Sequence, residues 1–310
     1  MRKNNNPNPF VVSDIKNRND IDKISVVLLS YNTREITCSC LRSLFKHSPT
    51  IANIEVIVVD NASQDDSVEA IEREFPEVEL IRNATNRGFS AACNQGIRIS
   101  TGEIVLLLNS DTLLVDQSVD IALDYLLRHP EVGIVGGAMI GEDGKPQPTC
   151  LNFPNYSNIL FSKNSILSFL KPFRKGFEKY RKIPVSITDV DAVAGGFLFV
   201  RRCLFRDIGL LDEQFFFYVE DIDLARRARE AGWRVVYLPG ASVLHGGGKS
   251  TSLIPVKAYW WHHKSLCRYF QKHHSDRWVL NLLFRFGLSA HYGIWWVISH
   301  LKRITKGSKD

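Results

Sequence analysis

ISVVLLSYNTRE, residues 24–35, decides how the rest of the chain is read. Its first seven residues form a short apolar run rich in β-branched side chains, the mark of a strand buried on both faces. The run ends in Ser-Tyr-Asn rather than in a glycine-rich turn. A helix is then expected over 34–46, with Asn32 or Thr33 as its cap and Glu35 in its first turn. A buried strand passing straight into a helix opens an alternating α/β chain. No GxGxxG follows the strand, which argues against a dinucleotide-dependent hydride-transfer enzyme.

The alternation continues downstream. IEVIVVD (54–60) reads as a second buried strand, and Ser63-Gln64-Asp65-Asp66 as a capping box for a helix ending near Glu74. VELI (78–81) supplies a third strand. After NRGF (86–89) a helix runs on to Gly102, placed in the C′ position. EIVLLLN (103–109) is the fourth strand, and a helix follows over 117–128. Such alternation implies an α/β fold: a mainly parallel, Rossmann-like sheet flanked by helices, with right-handed crossovers. Ligands of these sheets lie beyond the carboxyl ends of the strands. Those ends carry Ser30-Tyr31-Asn32, Asp60-Asn61 and Asn109-Ser110-Asp111, so two carboxylates emerge where a ligand should bind.

The second half is less regular. Residues 141–190 hold Pro146, Pro148, Pro154, Pro172 and Pro184 and read as loop with a short helix near 157–170. VDAVAGGFLFVRR (190–202) closes as a strand, and Gly195-Gly196 within it marks a close backbone approach. A helix is expected from Asp221 to Ala231 with Gly232 as its cap, then the strand WRVVYL, then helices over 256–273 and 277–301.

Three groups carry candidate chemistry. Asp111 is either a turn or N-cap residue or a carboxylate ligand for a hard divalent cation. Glu220, Asp221 and Asp223 open a helix, where acids offset the dipole. The Phe-Phe-Phe-Tyr run just before them (215–218) also suits a general base whose pKa is raised by apolar surroundings. His245 ends a strand; it is either structural or a metal ligand through a neutral ring nitrogen. The segment LHGGGKST (244–251) looks like a phosphate loop, but GxxxxGK[ST] would need glycine where Val243 stands. Pro255 also delays the helix that such a loop requires. An ATPase reading therefore fails.

The chain has 310 residues, 45% of them apolar, enough for a sizeable core. A net charge of +6 suits an anionic ligand or membrane surface but not nucleic acid, which would call for a dense basic stripe. Six cysteines show no CxxC and no zinc spacing, consistent with reduced thiols in the cytoplasm. Residues 1–23 lack the apolar core of a secretion signal and read as a polar tail. WVLNLLFRFGLSAHYGIWWVISHL (278–301) is aromatic but interrupted by Arg285 and His291. It suits a helix lying in a membrane interface, with Lys302, Arg303 and Lys306 towards anionic headgroups, better than a spanning one.

VLLSYN, VVDNAS, NRGFSAACNQG, LLLNSDT, AGGFLFVRR, FFFYVEDIDLARRAREAGW and LHGGGKS, in that order over residues 24–270, resemble the family 2 glycosyltransferases of the GT-A fold, in the branch that includes bacterial rhamnosyltransferases. The resemblance implies a catalytic domain over 24–255, with a nucleotide-binding half (24–135) and an acceptor half (136–255), followed by a C-terminal helical extension (256–310). It implies an inverting hexosyltransferase with a nucleotide-sugar donor (dTDP- or UDP-linked, leaning to rhamnose). The acceptor would be a saccharide or polyprenyl-linked acceptor of O-antigen or other polysaccharide assembly, at the cytoplasmic face of the inner membrane. A catalytically inactive, membrane-docking relative is the alternative.

By the same resemblance Ser30, Asn32, Asp60, Asn86, Arg87 and Ser110 bind the nucleotide. Asp111 and His245 hold Mg²⁺ or Mn²⁺, Asp221 is the base with Glu220 as runner-up, and Gly195, Gly196, Lys249 and Ser250 shape the acceptor or diphosphate loop. Asn109 departs from the family's DxD, leaving Asp111 as the only acid of that motif.

Overall fold

The computed structural model describes residues 21–160, 183–247 and 255–306. In the first half run β1 (Lys23–Ser30), α1 (Arg34–Lys46), β2 (Asn53–Asp60), α2 (Ser67–Glu74), β3 (Glu79–Arg82), α3 (Phe89–Ile99), β4 (Ile104–Asn109), β5 (Thr112–Leu114), α4 (Ser118–Arg128) and β6 (Val132–Ile140). Next come β7 (Cys150–Leu151), α5 (Tyr156–Leu160), β8 (Thr188–Asp189), β9 (Ala192–Val193), β10 (Phe197–Arg201) and α6 (Arg202–Ile208). The chain continues through α7 (Glu220–Glu230), β11 (Arg234–His245), α8 (Pro255–His273) and α9 (Trp278–Lys306).

The main sheet has the order β3-β2-β1-β4-β10-β6-β11-β5, with β8 paired to β11. Strands β3, β2, β1 and β4 are parallel, as the apolar runs predict, and β6 pairs with β11 in parallel. Strand β10 runs against both β4 and β6, so the sheet is mixed. That reversal matters for the site. The carboxyl ends of β1, β2, β4 and β11 share one edge, and an antiparallel β10 brings its amino end there as well. Ser30 pairs with Asp60, Leu29 with Asn109 and His245 with Thr112, and Gly195-Gly196 immediately precede β10.

Alternation along the strands sorts the two faces. Ile24, Val26 and Leu28 of β1 pack with Leu41 and Leu44 of α1 and with Leu123 and Leu126 of α4. Val27, Val105 and Leu107 face the other way, onto Ile97 of α3 and Leu224 and Ala228 of α7. The result is a three-layer α/β sandwich.

Two local expectations change, and one strand was not foreseen. Ser63 does not cap α2: Asp66 occupies the cap position without a side-chain bond, and the Ser63 hydroxyl is spent on Asp60 instead. Helix α3 stops at Ile99, before Gly102, which lies against β1; a Cβ there would meet the Ser25 nitrogen at 2.7 Å. Strand β6 carries no strand-like signature because Gly133, Gly136 and Gly137 interrupt it. Gly136 and Gly137 are needed for close packing, since Cβ atoms there would lie 2.5 Å from Val193 Cβ and 2.3 Å from the Ala241 carbonyl oxygen. The short helix expected near 157–170 begins as α5, and the rest of that span lies outside the described residues.

The C-terminal helices are tied to α7. Leu266, Tyr269 and Phe270 of α8 pack on Phe215 and Val219, in the loop leading into α7. Asp223, fully buried on α7, accepts hydrogen bonds from Arg227 (2.8 Å) and His273 (2.7 Å) and lies 2.8 Å from the Lys272 ammonium. Burial alone would raise its pKa; the His273, Arg227 and Lys272 contacts together hold it at about 2. A depressed folded-state pKa means the clamp stabilises the fold above the unfolded carboxylate value of about 4. That contribution, about 2 kcal/mol, is lost as pH falls from about 4 towards 2. Asp223→Asn is expected to lower Tm at neutral pH and to flatten its decline on acidification. Melts across that pH range check this, and parallel Tm–pH curves for variant and wild type would refute it.

Candidate active site

At the β1–β2 end of the edge the loops knit into a closed ring. The Asp60 carboxylate accepts the Ser63 N–H at 2.9 Å and the Ser63 O–H at 2.5 Å. Ser63 Oγ in turn accepts the Asn32 N–H at 2.9 Å. Asn32 sits at φ 52°, a left-handed conformation that Asn tolerates, and its Oδ1 takes the Gln64 N–H at 2.6 Å. Ser30 is fully buried behind this ring, its hydroxyl 3.3 Å from that of Thr37.

Asn61 organises the neighbouring loop. Its Oδ1 accepts from the Arg87 N–H (2.9 Å) and from Asn83 (3.2 Å), and its Nδ2 donates to Asn86 Oδ1 (2.9 Å). Gly88, at φ 80°, brings this loop onto Phe216: a Cβ there would lie 2.6 Å from the Phe216 carbonyl oxygen, which accepts the Phe89 N–H. The NRGF loop and the loop before α7 are thus joined backbone to backbone.

Asp111 and His245 meet across β5 and β11. His245 Nε2 lies 3.3 Å from Asp111 Oδ1 but forms no hydrogen bond, and this buried nitrogen has no hydrogen-bond partner among the described residues. Its other nitrogen, Nδ1, is 2.8 Å from Gln147 Oε1, while Gln147 Nε2 donates to the His245 carbonyl at 3.2 Å. The amide orientation therefore puts a proton on Nδ1, so that in the neutral ring Nε2, beside the Asp111 carboxylate, is the nitrogen left to act as a ligand. An imidazole held in this tautomer next to a carboxylate is a fitting pair of donors for a divalent cation such as Mg²⁺ or Mn²⁺. Among the described residues there is no group of three or more His, Cys, Asp or Glu that could hold a metal. Phosphate oxygens would have to complete the shell. Ser110, Asp111 and His245 line a cavity of about 430 Å³, walled also by Glu35 and Ser39 of α1.

Gly195 and Gly196 connect this pair to the acids of α7. The Gly195 N–H donates to Asp221 Oδ2 at 3.0 Å, and the Gly196 carbonyl accepts the Asn109 N–H at 3.0 Å. A Cβ on Gly196 would meet the Met139 methyl at 2.6 Å and the Asn109 side chain at 2.9 Å, so a larger residue there would have to displace both side chains. Asn109, in place of the first acid of DxD, therefore packs against the glycine pair.

The lead into α7 is strained. Tyr218 (φ 68°) and Val219 (φ 72°) are both left-handed, an uncommon state for a β-branched residue, costing of order 1–3 kcal/mol each. Packing of Phe215 and Val219 under α8 holds the strain in place. It starts α7 with Glu220 turned inward and Asp221 part-exposed.

The two acids differ in surroundings. Burial first, and then the charges of Asp221 and Asp223, push Glu220 well above the usual carboxylate range, and its Oε2 has no hydrogen-bond partner among the described residues. Burial also raises Asp221, but N–H groups of Ile222 and Gly195 oppose it by bonding to the ionised form. Asp223 is committed to the α8 clamp.

Lys249 and Ser250 lie outside the described residues. Two residues that matter here were not singled out as site residues in the sequence. Asn61 lies inside the conspicuous VVDNAS, where its side chain is a hub only because the NRGF loop folds back on it. Gln147 sits between two prolines, and its partner is 98 residues away, so no local pattern signals it.

Comparison with known proteins places these features in a wider group. The family model described as glycosyl transferase family 2 matches residues 25–199. An N-acetylglucosaminyl-diphospho-decaprenol L-rhamnosyltransferase of Mycobacterium tuberculosis is 31% identical over 239 residues, 73% of this chain and 77% of that protein. Rhamnosyltransferase WbbL of Escherichia coli K12 is 37% identical over 108 residues, 34% of this chain and 40% of its own. Among solved structures, GalNAc-T7 with UDP, GalNAc and Mn²⁺ superposes with TM-score 0.58 at 16% identity, over 81% of this chain and 48% of that one. Mannosyltransferase PcManGT from Pyrobaculum calidifontis, with GDP-Man and Mn²⁺, gives TM-score 0.54 at 17% identity over 92% and 79%. These structural likenesses establish the GT-A fold.

Proposed function

This chain belongs to glycosyl transferase family 2, and from that premise we propose that it moves L-rhamnose from a deoxythymidine diphosphate donor to a saccharide carried on a polyprenyl diphosphate. The names of its rhamnosyltransferase relatives support the sugar, and that of the mycobacterial one supports the acceptor class. The observation that carries the reading is the backbone link from Asp111 through Asn109 and Gly195-Gly196 to Asp221, which ties a cation-suited pair to a base-suited carboxylate on one sheet edge.

In this reading the acceptor hydroxyl attacks the anomeric carbon from the face opposite the diphosphate. The new glycosidic C–O bond forms as the C–O bond to the diphosphate breaks, and the hydroxyl proton passes to Asp221. One displacement inverts the anomeric configuration and needs no carboxylate nucleophile. Asp221 suits the base role because the Gly195 and Ile222 N–H groups favour its ionised form, whereas burial pushes Glu220 well above the usual carboxylate range and its buried Oε2 has no hydrogen-bond partner among the described residues. Asp111 and His245 would hold the divalent cation, whose chemistry is to offset charge developing on the departing diphosphate. Asp60, Asn32 and the Asn61–Asn86–Arg87 loop bind the nucleoside. Among the described residues no helix is long and apolar enough to cross a membrane. Helix α9 exposes Trp278, Leu283 and Phe286, and in this reading it lies along the membrane surface where the acceptor resides.

The test is release of nucleoside diphosphate from a donor panel in the presence of a lipid-linked N-acetylglucosamine acceptor. dTDP-rhamnose is expected to be used at least about tenfold better than UDP-N-acetylglucosamine or UDP-glucose, the usual scale for pockets that sort sugars by single substituents. Preference for a uridine donor would overturn the sugar assignment. Turnover of none of them would favour an inactive, membrane-docking relative.

A further inference from the structure

A second cavity, of about 700 Å³, lies away from Asp111 and Asp221, between α8, α9 and the loop around Glu213 and Phe216. Its volume is in the range of ligand pockets, roughly 300–1,000 Å³. Helix α8 presents Trp260, Lys264 and Arg268 to it, and α9 presents Arg285 and Tyr292. The charge balance around it is uneven. Glu213 is taken up by Asn94 (3.0 Å) and Arg98 (2.8 Å), and Asp212 by Lys272 (2.9 Å) and Arg268 (3.0 Å). Lys264 and Arg285 have no carboxylate partner among the described residues; the Lys264 ammonium sits 5.1 Å from the centre of the Trp260 ring. Arg268 adds a buried Nε–H without a hydrogen-bond partner among the described residues. The cavity therefore offers two uncompensated cations and an unused donor to an anion.

Its setting narrows the anion. On α9 the cavity-lining positions are Arg285, Leu288, Ser289 and Tyr292. The exposed apolar positions Trp278, Leu282 and Trp296 form an apolar stripe on the same helix. At 3.6 residues per turn these three lie within about 60° of Arg285 around the helix axis, on the side of the cavity-lining positions. An anionic head in the cavity would thus place an attached hydrocarbon chain beside an apolar helix face.

We propose that this cavity binds the diphosphate of a lipid-borne substrate, with Lys264 and Arg285 as its charge partners, Arg268 as a further donor and the apolar stripe of α9 against the lipid. The proposal rests on the lipid-linked acceptor reading and adds a docking point for the acceptor's diphosphate, separate from the donor diphosphate site at Asp111. The arrangement explains why cations and aromatic residues line a cavity that the transfer chemistry itself does not use.

The experiment is flotation of the full chain with three vesicle types: phosphatidylcholine alone, phosphatidylcholine with a polyprenyl diphosphate, and phosphatidylcholine with phosphatidylglycerol at matched charge. Binding is expected to be at least about tenfold tighter to the diphosphate vesicles than to the charge-matched ones. Free inorganic pyrophosphate should compete only weakly, because it lacks the chain that α9 meets. The double variant Lys264→Ala/Arg285→Ala should lose that preference, by about ten- to thirtyfold, two cations' worth near an anionic surface. Lys264→Arg/Arg285→Lys should keep it; both positions are exposed, which guards against misfolding as the cause. Equal binding to both anionic vesicle types, or a double alanine variant with undiminished preference, would overturn the proposal. Full competition by free pyrophosphate would reassign the cavity to soluble phosphates. Donor turnover is measured separately, so a chain that transfers sugar yet shows no diphosphate preference loses this inference alone.

Discussion

Asp221→Asn is expected to lower kcat by about 10³-fold, within the span attributed to a positioned general base, while nucleoside diphosphate binding stays close to that of wild type. Asparagine keeps the shape of the side chain and an oxygen for the Gly195 N–H, now 3.0 Å from Asp221 Oδ2. It cannot take a proton, and its amide NH₂ replaces the oxygen that now accepts the Ile222 N–H at 2.8 Å. Stopped assays of rate and calorimetric titration with the nucleotide separate the two effects; a variant with wild-type kcat would exclude Asp221 as the base. The pH profile gives an independent reading. Burial raises the Asp221 pKa, with the Ile222 and Gly195 N–H groups pulling against it. A base must be ionised to act, so kcat/KM should fall on the acid side at a pH above the ordinary aspartate value of about 4. Glu220→Gln, which keeps the shape of this inward-turned side chain, should keep most of the activity, and a loss equal to that of Asp221→Asn would exchange their roles.

Asp111→Asn is the second large effect, an expected loss of about 10²–10³-fold in kcat/KM, the scale of removing one group that stabilises charge in a transition state. The same variant should weaken Mn²⁺ binding, read by electron paramagnetic resonance in the presence of the nucleoside diphosphate. Gln147→Leu is the sharper companion. It touches neither acid, but it frees the His245 ring from the tautomer that its 2.8 Å contact imposes. An outer partner of a metal-binding histidine is typically worth about 10–100-fold in affinity. Unchanged Mn²⁺ affinity in both variants, together with full activity in excess chelator, would remove the cation from the scheme.

How much of the site was legible follows from how far apart its partners lie. Asp60 and Asp111 stand at the ends of apolar runs, and the rule that ligands gather at carboxyl ends of parallel strands is enough to single them out. The acids of α7 were legible as a group but not as individuals. Only packing separates Asp223, clamped to α8, from Glu220, whose buried Oε2 has no hydrogen-bond partner among the described residues, and from Asp221, held by a glycine 26 residues away. Ser63 shows the reverse case: a sound local rule predicts a helix cap, yet its hydroxyl goes to Asp60, a nearby buried charge whose need for a donor is greater.

The sequence by itself determined the alternating α/β architecture and the resemblance to a glycosyltransferase family, and it pointed to the edge where a ligand is expected. Those properties live in short-range periodicity and in motifs a few residues long. Only the tertiary structure decided the reversed β10 and the glycine-rich β6. It also decided the backbone link from Asp111 to Asp221, the tautomer of His245 and the basic cavity under α9. Each of these depends on groups far apart in the chain that meet only when the sheet closes. Hydrogen bonds and desolvation act over a few ångströms of space, without regard to separation in sequence.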